Sequence, residues 1–195
     1  MAALVLASTS PRRIELLGRL GVSFETVDPA TFEIPPIPMG PLRLARWAAR
    51  EKAHAVARRR RDAVVLAADT VVALDGKAFG KPRDSADARR MLQALSGRTH
   101  QVVTAVHVVA LARGCEAYGY SRTAVRMRVL SPSVIDAYVR TREVKDKAGA
   151  YAIQGGGARL VESIQGPFDN VVGLPLRLVA RLLERCGLVV RRPPA

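Results

Sequence analysis

The sequence predicts an α/β protein, and three observations carry the prediction. Short apolar runs that read as strands alternate with segments of helical apolar spacing. The first apolar run, residues 4–7, passes almost directly into Ser10-Pro11, a helix start. The most apolar stretch, residues 63–74, reads as a central strand.

Taken in order, the first strand is followed by Ser8 and Thr9, two small hydroxyl residues. Ser10 is a good N-cap, and Pro11 suits the first helical position, where a missing N–H costs nothing. Ile14, Leu16, Leu17 and Leu20 give the helix an apolar face, and Gly21 stops it. Arg12 and Arg13 therefore fall in the first turn. The macrodipole is already positive there, and each arginine costs about 0.3–1 kcal/mol. Two such violations in a row point to an anion: free N–H groups, hydroxyls and two guanidiniums would converge on a phosphate. Taken alone, Ser-Pro-Arg-Arg fits a solvated helix start better, so the rest of the chain decides.

Residues 22–27 alternate as a strand. Residues 28–40 hold four prolines and read as a loop that contains Glu33. Pro41 opens a long helix to about Arg61, with an apolar stripe through Leu44, Ala45, Ala48, Ala55 and Val56. Lys52 lies on that stripe, four residues from both Ala48 and Val56. Taken alone, it is expected to snorkel to the rim. In the central strand, Asp69 interrupts the apolar run and suggests a break near the middle. A carboxylate in such a place is costly unless it is paired or binds metal. Strand ends in α/β sheets are where ligands bind, so Asp69 is read as functional.

Asp75-Gly76 makes a tight turn. The return strand reaches Gly80-Lys81-Pro82 and delivers Lys81 at a strand end. Asp84 caps a helix through Leu95. Residues 99–112 and 115–129 are two long strands joined at Arg113-Gly114. In the second, Thr123, Val125, Met127 and Val129 alternate with arginines, which leaves one face wet or bound to something anionic. Ser131-Pro132 starts another helix, to about Arg140. A charged loop from Glu143 then enters Gly155-Gly156-Gly157, which allows close backbone approach to a ligand or partner, or a flexible turn. A strand over 158–164 and a helix over 176–185 complete the chain.

The bulk numbers narrow the class. A chain of 195 residues suits one domain, expected over 1–190, with a frayed tail at 191–195. Net charge is +14, nearly all of the positive charge from arginine. Nucleic-acid binding is the less favoured reading of that charge. The densest cluster, Arg58 to Arg61, ends a helix, where cations suit the dipole, and at 5% aromatic residues stacking platforms are scarce. No apolar run approaches a membrane span, and the N-terminus lacks the pattern of a signal peptide. Cys115 and Cys186 make no disulfide framework, and His54, His100 and His107 offer no ligand spacing. A cytoplasmic protein without membrane contact is expected.

The motifs together resemble the Maf family of nucleoside triphosphate pyrophosphatases. They are Leu-Ala-Ser8-Thr-Ser10-Pro-Arg12-Arg13-x-Glu-Leu-Leu, Glu51-Lys52-Ala, Ala-Asp69-Thr70-Val-Val and Gly80-Lys81-Pro82. They continue with Met-Leu-x-x-Leu95-Ser-Gly97-Arg-x-His100-x-Val-x-Thr104, Lys147-Ala-Gly149-Ala-Tyr151-x-Ile-Gln154-Gly155 and Val-Val-Gly173-Leu-Pro175-Leu. The resemblance spans about 4–176. It implies a long curved mixed β-sheet with flanking helices and two lobes around a central cleft. It implies hydrolysis of a nucleoside triphosphate between the α- and β-phosphates, assisted by Mg²⁺ or Mn²⁺, and a homodimer.

Carried over residue by residue, Asp69 matches the catalytic carboxylate, as proton acceptor or metal ligand. Ser8, Arg13, Lys52 and Lys81 match phosphate-binding positions. Glu33 matches an acidic residue near the metal, in a loop that departs from the family pattern at Phe32. Arg12, Thr70 and Gln154 match the pattern of the subgroup that prefers dTTP and UTP, with modified pyrimidine nucleotides as further substrates. The physics is consistent: a triphosphate needs neutralising cations, and an amide such as Gln154 offers a donor and an acceptor to a pyrimidine edge. The alternatives are the same reaction on another nucleotide, such as 7-methyl-GTP, and a nucleotide- or nucleic-acid-binding regulator of cell division without turnover.

Overall fold

The computed structural model describes residues 3–31, 35, 37–145 and 147–190. Glu33 and the tail 191–195 lie outside the described residues. The described part is a mixed α/β structure: a seven-stranded sheet in the order β2-β1-β3-β5-β6-β7, with β4 paired to β3 off that path. The strands are β1 (Leu4–Leu6), β2 (Phe24–Thr26), β3 (Val64–Leu74), β4 (Lys77–Phe79), β5 (Thr99–Ala110), β6 (Cys115–Met127) and β7 (Val161–Gln165). The helices are α1 (Pro11–Gly18), α2 (Pro41–Ala57), α3 (Ser85–Leu95), α4 (Pro132–Arg140), α5 (Phe168–Val172) and α6 (Leu176–Arg185). No described helix is long and apolar enough to cross a membrane.

Strands β3, β5 and β6 are long enough to serve two cores. In the first lobe, Val64, Leu66 and Ala68 of β3 pack with Leu16 and Leu17 of α1 and Val179 and Leu183 of α6. In the second, Val72 and Leu74, further along the same face of β3, pack with Leu92 and Leu95 of α3 and Ile135 and Val139 of α4. The opposite face of β3 carries Val65 and Ala67 beneath Ala53 and Val56 of α2. The strand is continuous, with no break at Asp69.

What breaks is the pairing along one edge. β1 runs parallel to β3 only as far as Leu6 opposite Leu66, and β4 pairs with β3 only from Val72 onward, where its last residue, Phe79, lies opposite. On its other edge β3 pairs with β5 from Val65 to Ala73. Residues between Leu66 and Val72 therefore face a gap beyond the carboxyl end of β1, the place where α/β sheets form ligand crevices.

Several expectations need correction. The strand over 22–27 shortens to β2, the long helix stops at Ala57, and the strand over 158–164 begins only at Val161, after a 3₁₀ turn over Gly155–Leu160. Val129 is 89% exposed and continues no buried face, because β6 ends at Met127. Gly157 provides close approach to the chain itself: a Cβ there would collide with the Ala152 carbonyl and the Tyr138 hydroxyl. Cys115 and Cys186, too few to predict a disulfide framework from sequence, form a disulfide. α6 packs along β6, which brings the start of that strand beside the end of the helix, with Cα atoms 5.6 Å apart. That proximity is tertiary and leaves no trace in the spacing.

The short helix α5 was not anticipated. It is pinned by the fully buried Asn170, whose Nδ2 donates to the Val102 carbonyl and to Thr123 Oγ1, both at 3.0 Å. Asn170→Ala strands a buried acceptor and is expected to cost about 1–3 kcal/mol, measured by denaturant unfolding. An unchanged midpoint would show that α5 is held by apolar packing alone.

Candidate active site

The gap beside β3 opens into a cleft of about 710 Å³, a size that suits a small-molecule ligand. Adjacent residues on opposite faces of β3 both contribute to its lining. Asp69 lies on the same face as Ala67, toward α2, and Thr70 lies on the face of Ala68, toward α1 and α5. With no strand paired along this stretch of edge, both side chains reach the same opening.

Lys52 is the first anchor. It is only 7% exposed and does not snorkel; its Nζ lies 2.7 Å from Asp69 Oδ1. The apolar stripe of α2 turns Lys52 toward the sheet, and the gap in pairing lets a carboxylate meet it there. Each charge thereby answers the desolvation of the other. Asp69 Oδ2 has no hydrogen bond among the described residues.

Arg13 is the second anchor. Its Nε donates to the Gly173 carbonyl at 2.9 Å and its Nη2 to Thr70 Oγ1 at 3.2 Å. Thr70 and Thr104 hydroxyls are 2.9 Å apart, and Thr104 donates to the Asn170 carbonyl. Each hydroxyl has one proton, so the direction of the chain is fixed: Arg13 to Thr70, Thr70 to Thr104, Thr104 to Asn170. Gly173 has φ +125°, which a side chain would strain, so a glycine is needed to present that carbonyl to Arg13. Local sequence assigns no role to Thr104 or Asn170, because their partners lie 34 to 68 residues away along the chain.

The remaining predicted residues divide. Ser8 is buried at the end of β1, with Oγ accepting from Ser10 N at 3.2 Å. Ser10 is the N-cap of α1 but its hydroxyl caps nothing, so the first turn has no side-chain acceptor. Arg12 is half-buried, and burial lowers its pKa from the ordinary value. Ser8, Arg12, Arg13, Lys52, Asp69, Thr70 and Lys81 all line the cleft. Gln154 does not; its neighbours Ala152 and Ile153 do. Lys147 and Asp28 also line it, and sequence reading gave neither a role. Lys147 sits in the charged loop that starts at Glu143, and the Lys147-Ala-Gly149 motif is the sequence signal for it. Among the described residues, five cationic side chains face two carboxylates across this cleft.

Beneath the cleft wall, His100 Nε2 lies 2.7 Å from the hydroxyl of Tyr151, itself a lining residue. Burial pushes the His100 pKa down to about 4, and pushes the Tyr151 phenol well up.

An α/β sheet with a cation-lined crevice around one lysine-held carboxylate defines the class of protein. A family model described as Maf-like protein matches residues 3–186, and the chain belongs to that family. It is 51% identical to a dTTP/UTP pyrophosphatase of Moorella thermoacetica, over 97% of this chain and 98% of that one. It is 49% identical to a dTTP/UTP pyrophosphatase of Methylococcus capsulatus, over 97% and 93% of the two chains. A third relative of that name, from Anaeromyxobacter dehalogenans, is 51% identical over 94% of each.

The His100 shift has a signed consequence. Between about pH 6.5 and 4 the unfolded chain binds a proton at this ring and the folded chain does not. His100 therefore contributes its full stability above about pH 6.5, and that stability is lost as pH falls toward 4. The loss is on the order of 3 kcal/mol. Unfolding midpoints measured from pH 7.5 to 4.5 should fall, and His100→Gln should remove part of that slope; an identical slope in the variant would rule this origin out.

Proposed function

We propose that this protein hydrolyses nucleoside triphosphates, dTTP and UTP foremost, to the monophosphate and pyrophosphate. The observation that carries the reading is Asp69, a carboxylate set among phosphate-binding cations. A protein that only bound nucleotide would lose affinity by placing a negative charge there, whereas a hydrolase needs a proton acceptor. The names of the relatives support the same reaction and the same bases.

In this reading Ser8, Arg13, Lys52, Lys81 and the first turn of α1 hold the phosphates, and Lys147 adds to that charge. The cations lower the energy of the charge that builds up on the bridging oxygen as the bond breaks. Asp69 takes a proton from water as its oxygen bonds to phosphorus at the α–β anhydride. The anhydride P–O bond breaks, and pyrophosphate leaves with the electron pair. Lys52 holds Asp69 Oδ1 in place and keeps the carboxylate aimed.

The residues fit a divalent cation, Mg²⁺ or Mn²⁺. Asp69 offers a hard oxygen, its Oδ2 has no other described partner, and such ions are commonly held by one or two carboxylates plus substrate phosphates. When bound, the ion supplies charge neutralisation and a more acidic water. Glu33 is proposed as the second acidic residue near it. Arg12, Thr70 and Gln154 are proposed to select the base, with Thr70 acting in part through the Arg13 it holds.

The test is a panel of nucleotides with Mg²⁺. Turnover of dTTP and UTP should exceed that of ATP and GTP by at least tenfold, the scale set by one or two hydrogen bonds. Asp69→Asn should lose about 10²–10⁴-fold in kcat while retaining nucleotide binding. Wild-type turnover in that variant would remove Asp69 from catalysis. Hydrolysis of no triphosphate, with DNA binding that weakens steeply in salt, would favour the regulator instead.

A further inference from the structure

Helix α2 carries a second group of side chains on its other flank. His54 lies two residues beyond Lys52, about 200° around the helix. It meets His107 of β5 and Glu116 of β6, which project from one face of their hairpin: His107 pairs with Tyr118, and Glu116 with Val109. The His54 Nε2 is 3.1 Å, and the His107 Nε2 2.7 Å, from the same atom, Glu116 Oε1. One ligand atom from each residue lies within 4.8 Å of the others. The sequence offers no ligand spacing for these histidines because the three residues come from three elements.

We infer that His54, His107 and Glu116 form a binding site for a divalent transition-metal ion, zinc foremost, separate from the catalytic cleft. Two imidazole nitrogens and one carboxylate oxygen are a donor set for zinc and its neighbours, and a poor one for magnesium, which favours oxygen alone. The rings are already aimed. Each presents Nε2 to a common point, and the Tyr118 ring stacks on His107, with centroids 5.9 Å apart and planes 8° from parallel. On binding, each neutral ring carries its proton on Nδ1 and turns the Nε2 lone pair to the metal. A hollow of about 400 Å³ adjoins His107 and Glu116 and leaves room for a water or small anion as the fourth ligand.

Arginines stand near and oppose a cation. Arg50 Nε is 3.9 Å from Glu116 Oε1, and Arg43 and Arg46 line the hollow. Each has an alternative. Arg50 is exposed and already reaches Glu51 Oε1 at 3.3 Å, and Arg46 lies over the Tyr118 ring. Their charge favours an anionic fourth ligand. The metal would clip α2 to the β5–β6 hairpin, and so steady the helix that places Lys52.

The experiment is calorimetric titration of the metal-free, full-length protein with Zn²⁺, repeated in Asp69→Asn to remove the catalytic carboxylate. One site per chain is expected in both. At a hundredfold excess over Kd, zinc should raise the melting temperature by about 5–10 °C. His54→Ala and Glu116→Gln should each weaken this binding at least about 100-fold, beyond the loss typical of an outer-shell change. Both should retain nucleotide hydrolysis with Mg²⁺, which shows that they fold. Zinc bound as tightly by both variants, or no binding below about 1 mM, overturns the proposal and leaves the trio a hydrogen-bonded cluster.

Discussion

The contact between Lys52 and Asp69 is the constraint on which the rest depends. A lysine on the buried stripe of a helix and an aspartate inside a central strand would each be costly alone. Together they are tolerable, but only where the sheet leaves space for both. The structure provides that space because both β1 and β4 end short of it, at Leu6 and Phe79, so that β3 runs past an unpaired edge. The cleft is thus a consequence of sheet topology, and the ion pair stands at its floor.

A second chain of interactions ties the cleft to the first lobe's helices. Arg13, Thr70, Thr104 and Asn170 form a directed series of hydrogen bonds that crosses α1, β3, β5 and α5. Its effect is to hold a guanidinium in a fixed pose before any ligand arrives. A pre-placed cation loses less on binding than one that must be ordered, and it can act where charge develops. The neighbouring Arg12 is not held by this chain, which separates two arginines that look equivalent in sequence.

Much of this was legible in the chain. The strand–Ser-Pro–helix start, the central strand, the Asp75-Gly76 turn and the long hairpin follow from apolar spacing and turn chemistry, which are local. Asp69 and the arginines of α1 could be singled out because each breaks a local rule. Lys52 reads in isolation as a snorkelling side chain, because snorkelling and burial against a carboxylate look alike until the partner is known. What stayed hidden is non-local: the Cys115–Cys186 bond, the Asn170 pin, the meeting of His54 with His107. Gln154 shows the reverse limit. A motif names it, yet the described geometry places its neighbours on the cleft and not Gln154 itself.

The cleft around Asp69 is built to direct water to the α–β anhydride. Product balance tests it most directly. The protein is incubated with dTTP and Mg²⁺, and nucleotides and inorganic phosphates are separated and quantified. Attack at the α–β anhydride gives dTMP and pyrophosphate in equal amounts from the earliest time points. Accumulation of dTDP with orthophosphate would place the cut at the β–γ bond and contradict it.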